Sequence, residues 1–283
     1  MSTTDREYNF TMQDFERVRK MLYDRVGISL SPVKQDMVYS RLARRLRATG
    51  IRSFNDYLDS LVDGDDAEME AFTNALTTNL TSFFREEHHF PALADHVKQY
   101  MGKHTINLWC SAASTGEEPY SMAMTMVDLF GSYTPPVKIL ATDIDTNVLK
   151  KAEAGVYPIE RVEKLSGDLI KRFFLKGSGK QEGYVRVRQE LRDMINFRQV
   201  NLLDNAWPMR GPFEAIFCRN VMIYFDKPTQ HKILQKFVPL LRPDGLLFAG
   251  HSESFYHAAE IFKSRGKTIY EMTPEAKAKA CNG

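Results

Sequence analysis

Four short apolar runs in the second half of the chain constrain its fold more than any other feature. They read "TINLWC", "VKILATD", "FEAIFC" and "GLLFAG", and they alternate with stretches that have helical spacing. A run that is apolar at nearly every position is typical of a parallel strand covered on both faces. The pattern therefore predicts an α/β fold built on a doubly wound sheet.

The first part of the chain follows a different pattern. From Met12 to about Leu80, apolar residues recur at the spacing of amphipathic helices, and Gly27, Gly50 and Gly64 stand where such helices end. No strand-like run interrupts them. We therefore expect an all-α domain over residues 1–80, a linker and first helix over residues 81–104, and the α/β domain over residues 105–283.

One segment breaks the α/β alternation. "KGSGKQEGYVRVRQEL", residues 176–191, is rich in glycine and then places Val185 and Val187 between Tyr184, Arg186 and Arg188. Period-two alternation of this kind predicts a half-buried strand. We expect a small antiparallel β-subdomain inserted at about residues 174–193. The polar tail "TPEAKAKACNG" is expected to fray.

The composition excludes several classes of protein. The 283 residues carry 38 Lys and Arg against 36 Asp and Glu, a balance that does not favour nucleic-acid binding. Cys110, Cys218 and Cys281 are too few and too far apart for a disulfide framework or a CxxC metal site. "MSTTDREYNF" lacks the apolar core of a signal peptide, and no apolar segment approaches a membrane span. We expect a cytoplasmic monomer that inserts into no membrane.

The stretch "LWCSAASTGEEPYSMAM", residues 108–124, reads as a strand that turns into a helix, where α/β proteins often bind nucleotides. The turn has one glycine, Gly116, and no lysine, and it carries Glu117 and Glu118. Two carboxylates at a helix start repel a phosphate. A Ser/Thr-x-x-Glu capping box from Ser114 or Thr115 accounts for one of the acids, and the other is left to bind a ligand.

Polar residues also follow the other predicted strands. In an open α/β sheet, ligands bind outside the carboxyl ends of the strands, so the ends of "TINLWC", "VKILATD", "NFRQVN" and "FEAIFCRN" should line one pocket. The residues there are Glu118, Asp143, Asn201 and Asn220. Asp143 is suited to accept hydrogen bonds from the two hydroxyls of a ribose, and the alternative is that it caps the next helix. A ligand with a ribose, a positive charge and no phosphate satisfies this set, and S-adenosylmethionine is such a ligand.

Five stretches resemble the chemotaxis receptor methyltransferases of the CheR family, in order and at similar spacing. They are "NALTTNLTSFFREEHHFP", "WCSAASTGEEPYSMAM", "ATDIDTNVLKKAEAGVY", "FCRNVMIYFDKPTQ" and "GLLFAGHSES". The resemblance implies an all-α N-terminal domain and a class I, Rossmann-like methyltransferase domain that carries a small β-subdomain. It also implies methyl transfer from S-adenosylmethionine to glutamate side chains of chemoreceptor helices, with S-adenosylhomocysteine as the product and no metal.

The resemblance assigns roles to individual residues. It places Arg85 and Tyr224 beside the transferred methyl group, and the alternatives are a surface arginine paired with Glu86 or Glu87 and a core aromatic. The cofactor contacts that it implies are Asn79, Thr81, Arg85, Glu118, Asp143, Asn201, Leu202, Arg219 and Asn220.

Two segments are candidates for receptor binding. Arg41, Arg44 and Arg45 lie on one side of a predicted helix, either as a docking face for an acidic receptor helix or as a solvated face. The β-subdomain resembles those that bind a C-terminal receptor pentapeptide of the Asn-Trp-Glu-Thr-Phe kind, although an ordinary hairpin is the alternative. Its candidate residues are Lys176, Gly177, Gly179, Gly183 and Arg186.

Two other functions remain open from the residues. An N-methyltransferase is suggested by Asn220, but "NVMIYF" lacks the prolines of the Asn/Asp-Pro-Pro-aromatic turn that such enzymes use. An adaptor that binds the cofactor only as a ligand is the second alternative. His88 and His89 invite a metal site, which we reject because no further ligands lie nearby in the sequence.

Overall fold

The computed structural model describes residues 6–62, 64 and 66–281. Part of the predicted N-terminal stretch, residues 1–5, and the end of the tail, residues 282 and 283, lie outside them. The chain divides into two compact units. The helical unit runs through Thr78 and includes Tyr224–Asp226, and the sheet unit comprises Asn79–Ile223 and the chain from Lys227 onward.

The helical unit consists of helices whose apolar faces pack together, as their spacing predicts. A capping box between Thr11 and Asp14 begins the first helix, and Gly27 ends it in the left-handed conformation. Phe15 and Leu42 are among the fully buried core residues. The helices are α1 (Met12–Val26), α2 (Gln35–Thr49), α3 (Phe54–Val62) and α4 (Asp66–Leu76).

The sheet unit is built on a seven-stranded mixed sheet with the order β6-β2-β1-β7-β8-β10-β9. Its strands are β1 (Ile106–Cys110), β2 (Val137–Asp143), β6 (Ile195–Gln199), β7 (Phe213–Cys218), β8 (Leu241–Ala249), β9 (Phe262–Gly266) and β10 (Ile269–Met272). The five strands from β6 to β8 are parallel, and β10 and β9 are antiparallel. The predicted α/β class is confirmed, and the carboxyl ends of β1, β2, β6 and β7 meet at one edge.

The sheet unit also contains the following helices. They are α5 (His89–Lys98), α6 (Glu117–Phe130), α7 (Thr146–Ala154), α8 (Gly167–Phe173), α9 (Gln189–Asp193), α10 (Lys227–Phe237) and α11 (Pro274–Cys281). Trp109 is fully buried, and its indole nitrogen donates to the Thr142 hydroxyl at 3.0 Å. These two buried polar atoms thus find their partners within the sheet itself. In the described part of the chain, no helix has the length and apolar content needed to cross a membrane.

A second sheet has three antiparallel strands in the order β3-β5-β4. They are β3 (Val156–Pro158), β4 (Phe174–Lys176) and β5 (Tyr184–Val187). Val185 and Val187 are buried, whereas Tyr184 and Arg186 are exposed, as the alternation predicts. The strand Val156–Pro158 lies before the predicted insertion, because three residues directly after a helix carry too little pattern to show a strand.

The predicted fraying of the tail is wrong for Pro274–Cys281, which form α11. The Thr273 hydroxyl accepts a hydrogen bond from the Ala276 amide at 3.2 Å and so begins the helix. Ala276 is buried, at 5% exposure. A polar composition concealed a helix that has an effective cap and a buried alanine and that contacts β8 and β10 of the sheet unit.

Candidate functional site

The turn between β1 and α6 is shaped by Gly116. Its φ is +98°, and a Cβ at this position would lie 2.8 Å from both the Tyr157 hydroxyl and the Ala152 Cβ. Gly116 is also the N-cap of α6, without a side-chain cap, so the predicted capping box is wrong. Glu117 is instead fully buried, accepting from the Thr115 hydroxyl at 2.6 Å and pairing with Arg161. One of the two acids of the turn is therefore structural.

The second acid, Glu118, faces the interior of the site. Its Oε2 accepts a hydrogen bond from Arg219 Nη1 at 2.8 Å, and its Oε1 accepts one from Cys110 Sγ at 3.2 Å. Burial raises the pKa of Glu118, and the charge of Arg219 opposes that shift. Arg219 is itself only 3% exposed. Glu118 and Arg219, both predicted cofactor residues, are thus brought together as a buried ion pair.

Arg219 has a second acidic partner, Glu86, which was not among the predicted site residues. Arg219 Nη2 lies 3.3 Å from Glu86 Oε2. Glu86 Oε1 accepts from Asn220 Nδ2 at 3.3 Å and from the backbone amide of His251 at 3.2 Å, and it lies 3.0 Å from His251 Nδ1. Burial raises the pKa of Glu86, but the His251 hydrogen bond and the Arg219 charge outweigh it and lower the pKa to about 2. Glu86 is therefore ionised.

Arg85 lies in a strained turn. Its neighbours Phe84 and Glu86 have φ values of +52° and +54°, and residues other than glycine seldom adopt this region. The Arg85 guanidinium donates to the Leu80 carbonyl at 2.8 Å, while its own carbonyl accepts a hydrogen bond from Arg219. Among the ion pairs of the described residues, none joins Arg85 to Glu86 or Glu87, as the alternative of a surface pair would require. Such strain is concentrated at functional sites.

Asp143 ends β2 and turns toward the loop after β1. Its Oδ2 accepts from the Ser114 amide at 2.8 Å, and its Oδ1 accepts from the Asp145 amide at 3.0 Å. The alternative of an N-cap is wrong, because Asp145 caps α7 by accepting from the Asn147 and Val148 amides. Burial raises the pKa of Asp143 to about 6.

The remaining predicted cofactor residues flank Asp143 or follow neighbouring strands. Asn79 accepts from the Ser114 hydroxyl at 3.1 Å through its carbonyl and donates to Asp145 Oδ2 at 2.8 Å. Asn201 and Leu202 follow β6, whose end lies beside β2 because the Val200 amide donates to the Asp143 carbonyl at 3.1 Å. The other two are Thr81, which is half-buried, and Asn220, which has a φ of +57°.

Tyr224 is grouped with the helical unit. Its carbonyl accepts a hydrogen bond from the Ser29 amide at 2.9 Å. The role of its hydroxyl beside a methyl group stays a prediction.

Two of the three helical arginines have partners inside the helical unit. Arg41 donates to the carbonyls of Ala75 and Thr77. Arg45 forms a bidentate pair with Glu68, whose Oε1 also accepts from the Tyr57 hydroxyl at 2.7 Å. Arg44 is exposed. The structure therefore explains Arg41 and Arg45 by folding alone and gives no such explanation for Arg44.

The glycines of the small sheet have local explanations as well. A Cβ at Gly177 would lie 2.0 Å from the Gln181 carbonyl oxygen, so only glycine fits there. Gly179 and Gly183 have φ values of +58° and +84°. Lys176 and Arg186 are exposed, and the pairing of Lys176 with Val185 places them on opposite faces of the sheet.

The charges at the edge of the large sheet suit a cationic ligand. Glu86, Glu118 and Asp143 supply three carboxylates against the buried guanidinium of Arg219 and the half-buried one of Arg85. The turn before α6 has no lysine to balance a phosphate. Within the described residues, no group of three or more His, Cys, Asp or Glu side chains is arranged to hold a metal ion. His89 is buried, and burial lowers its pKa to about 4.

Comparison with known proteins agrees with this chemistry. Residues 79–270 match the family model described as the CheR methyltransferase SAM binding domain, and residues 13–77 match the CheR methyltransferase all-alpha domain. The two matches meet where the helical unit gives way to the sheet unit. S-adenosylmethionine is therefore the cofactor of this chain.

Whole-length relatives extend the match. The chain is 54% identical over 267 residues to chemotaxis protein methyltransferase 2 of Pseudomonas aeruginosa, covering 94% of this chain and 95% of that one. It is 52% identical over 262 residues to the chemotaxis protein methyltransferase of Escherichia coli, covering 92% and 91%. A third relative, from Klebsiella aerogenes, is 54% identical over 263 residues, covering 92% and 90%. The chain belongs to the CheR family of chemotaxis protein methyltransferases.

Proposed function

We propose that this methyltransferase esterifies glutamate side chains on the cytoplasmic helices of chemoreceptors. The observation that carries the proposal is Arg85, a half-buried guanidinium without an ion-pair partner among the described residues, held by a strained turn beside the buried carboxylates. A guanidinium in such a place is suited to bind an incoming carboxylate through two hydrogen bonds. Cytoplasmic, monomeric action is part of the same proposal.

Different residues of the site are suited to bind different groups of the cofactor. Asp143 is suited to the ribose hydroxyls, and Glu118 is suited to the α-ammonium group, with Arg219 fixing its orientation. S-adenosylmethionine supplies an electrophilic methyl group when it is bound. Asn79 orders the loop around Asp143 through Ser114 and Asp145.

The chemistry of a glutamate substrate needs little from the protein. A free glutamate has a pKa of about 4.3, so at neutral pH its carboxylate is already a nucleophile and no general base is required. The residues of the site therefore act by alignment and by exclusion of water. Arg85 orients the substrate carboxylate, and Tyr224 is proposed to contact its oxygen.

The nature of the methylated bond tests the proposal. The protein is incubated with methyl-labelled S-adenosylmethionine and a cytoplasmic receptor fragment, and the labelled product is then treated with mild base. A methyl ester releases the label, whereas an N-methyl group retains it. Base-stable label would favour the N-methyltransferase alternative, and failure to label any receptor fragment while the cofactor binds would favour the adaptor.

We expect the affinity for S-adenosylhomocysteine to fall as the pH falls through the pKa of Asp143, about 6. The protonated acid loses an acceptor for the ribose hydroxyls, so the dissociation constant should rise ~3-fold to 4-fold between about pH 7.5 and about pH 5.5. Calorimetry at several pH values measures it. Asp143→Asn should bind more weakly at neutral pH and lose this part of the pH dependence.

Titration of Asp143 does not unfold the protein at low pH, so unfolding through this group does not explain a loss of cofactor affinity. The folded pKa of Asp143, about 6, lies above its ordinary value of 3.8, so the folded protein binds more protons and this group favours folding at low pH. The pKa of Glu118 is raised as well, so Glu118 is a second source of pH dependence in the cofactor affinity. Glu118→Gln removes this second source and therefore serves as the comparison variant. An equal pH slope in wild type and Asp143→Asn would remove Asp143 from the ribose site.

Receptor docking through α2 is a further part of the proposal. Arg44 is exposed and so is available to an acidic receptor helix. Arg41 and Arg45 contribute to the same basic face, although their partners are the Ala75 and Thr77 carbonyls and Glu68. An exposed pair is worth only about 0.2–1 kcal/mol, so this face acts as a set rather than through one residue.

We also propose that the small sheet tethers the C-terminal pentapeptide of a receptor. One face of this sheet is buried, and the other exposes Val156, Leu175 and Tyr184 at 38%, 48% and 45% around Arg186. An apolar face with a central cation suits a peptide that carries aromatic and acidic side chains. β4 is an edge strand, and an added strand there has alternate side chains that meet Lys176 on one face and Arg186 on the other.

The tether is expected to depend on Arg186 and not on nearby charge in general. Arg186→Glu should weaken binding of the peptide Asn-Trp-Glu-Thr-Phe about tenfold, because a charge-assisted hydrogen bond becomes a repulsion. Lys180→Glu changes charge equally in the exposed turn after β4 and should bind normally. Fluorescence titration of both variants provides the measurement. Equal affinities for the two, or no saturable binding by the wild type, would contradict the tether.

A further inference from the structure

Glu253 is a buried carboxylate for which the proposed reaction gives no role. It is 4% exposed and follows the end of β8. Its Oε2 accepts from the amides of Asn220 at 2.9 Å and Gly250 at 2.5 Å, and its Oε1 accepts from the amide of Ile223 at 3.4 Å. The carboxylate therefore joins the loop after β7 to the turn after β8.

The backbone of Glu253 is itself held in place by hydrogen bonds. The Glu253 amide donates to the Gly250 carbonyl at 2.9 Å, and the Glu253 carbonyl accepts from the Tyr270 hydroxyl of β10 at 3.4 Å. The backbone of Glu253 is thus tied to its own turn and to β10, the strand that lies between β8 and the edge strand β9. A side chain held in this way has little freedom, and neither have the amides that it binds.

The anchored residue, Asn220, needs such support. It has a φ of +57°, a left-handed conformation that asparagine tolerates better than most residues but that is strained in any residue except glycine. Its side chain donates to Glu86 at 3.3 Å while its amide donates to Glu253. Two carboxylates from different loops therefore hold Asn220 at both ends.

Gly250 gives independent support for a close approach here. A Cβ at this position would lie 2.3 Å from Asn220 Nδ2, 2.8 Å from the Asn220 amide nitrogen and 2.9 Å from Glu253 Oε2. The turn after β8 must therefore carry glycine for Asn220 and Glu253 to meet. Glu86, Gly250 and Glu253 are therefore all compatible with the same position of Asn220.

We infer that Glu253 is a positioning residue that sets the cofactor-binding conformation of Asn220. The inference rests on the assignment of Asn220 to cofactor binding. An ionised carboxylate accepts several N–H groups at once, whereas a glutamine in its place directs an NH₂ group at one of those donors. The acid is required for its acceptors alone, and it touches neither cofactor nor substrate.

The test compares Glu253→Gln with a matched buried acid, Glu214→Gln. Glu214 is 1% exposed and accepts from the Asn107 amide at 2.6 Å, but it lies at the start of β7, at the opposite edge of the sheet. Both variants should lower the melting temperature. Glu253→Gln should also raise the dissociation constant for S-adenosylhomocysteine about tenfold, and Glu214→Gln should change it less than about twofold.

A second comparison tests whether Glu253 acts through Asn220. Glycine adopts a φ of +57° without support, so in the Asn220→Gly background the further change Glu253→Gln should leave the affinity nearly unchanged. If Glu253→Gln does not fold, Gly250→Ala provides the test, because it disturbs Asn220 while keeping the carboxylate.

The outcomes distinguish a failure of this inference from a failure of the assignment of Asn220 to cofactor binding. Normal affinity in folded Glu253→Gln, or in Gly250→Ala when that variant is used, would overturn the positioning role alone. An equal loss of affinity in Glu214→Gln would overturn it as well. So would full additivity between the effects of Glu253→Gln and Asn220→Gly on the affinity. Normal affinity in Asn220→Gly by itself would overturn the place of Asn220 in the cofactor site and the inference with it.

Discussion

Arg219→Met is expected to destabilise the protein by about 3–5 kcal/mol, because it leaves buried carboxylates without their counter-charge. The Arg219 side chain has no solvent exposure and lies 2.8 Å from Glu118 and 3.3 Å from Glu86. Its Nη2 also donates to the Arg85 carbonyl. Methionine fills similar volume but supplies no donor, so two acids and a carbonyl lose their partner together.

Thermal unfolding measures this effect, and the melting temperature should fall by about 10 °C. The control is Arg172→Met, because Arg172 is 39% exposed where it pairs with Asp128 and Asp168 and should cost about 1 kcal/mol or less. Adding Glu118→Gln to Arg219→Met should recover part of the loss, since one uncompensated charge is removed. A melting temperature within about 2 °C of the wild type would mean that the buried pair contributes little.

The pair of Arg219 and Glu118 shows which features of the site a sequence pattern can predict and which it cannot. The strands and helices follow from apolar periodicity, which is local, and "VKILATD" coincides with β2. The Glu118 pair depends on Arg219, 101 residues later, and no local pattern connects them. The site could be placed from strand ends, but its internal partners arise only when the parallel strands come together.

Short-range competition explains the errors near the site. Asp143 was the alternative cap for α7, but Asp145 directly precedes the helix and caps it, while Asp143 accepts from the amides of Ser114 and Asp145. The capping box at Ser114 or Thr115 failed because Gly116 takes the N-cap position. Glu86 and Glu253 were missed since their signal is a backbone conformation, namely the positive φ of Glu86 and Asn220, which sequence does not display.

Arg85→Ala is expected to fold normally and to lose methyl transfer by about 100-fold or more, the loss typical when a donor aimed at reacting charge is removed. The folding expectation follows from the contacts of the residue. The Arg85 carbonyl, which accepts from Arg219, remains in alanine, and the Leu80 carbonyl that loses its donor belongs to a residue that is 77% exposed. The lost function is therefore that of the guanidinium alone.

Initial rates of receptor methylation at saturating cofactor measure this loss, with calorimetry of S-adenosylhomocysteine as a separate readout. Arg198→Ala is the matched control, because Arg198 is also an arginine of the sheet unit whose guanidinium donates to a backbone carbonyl, at 3.1 Å. Arg85→Lys keeps the charge but not the planar fork, and should recover only a small part of the rate. If Arg85→Ala turns over receptor at the wild-type rate, the carboxylate is oriented by another group, and Arg85 serves the turn rather than the reaction.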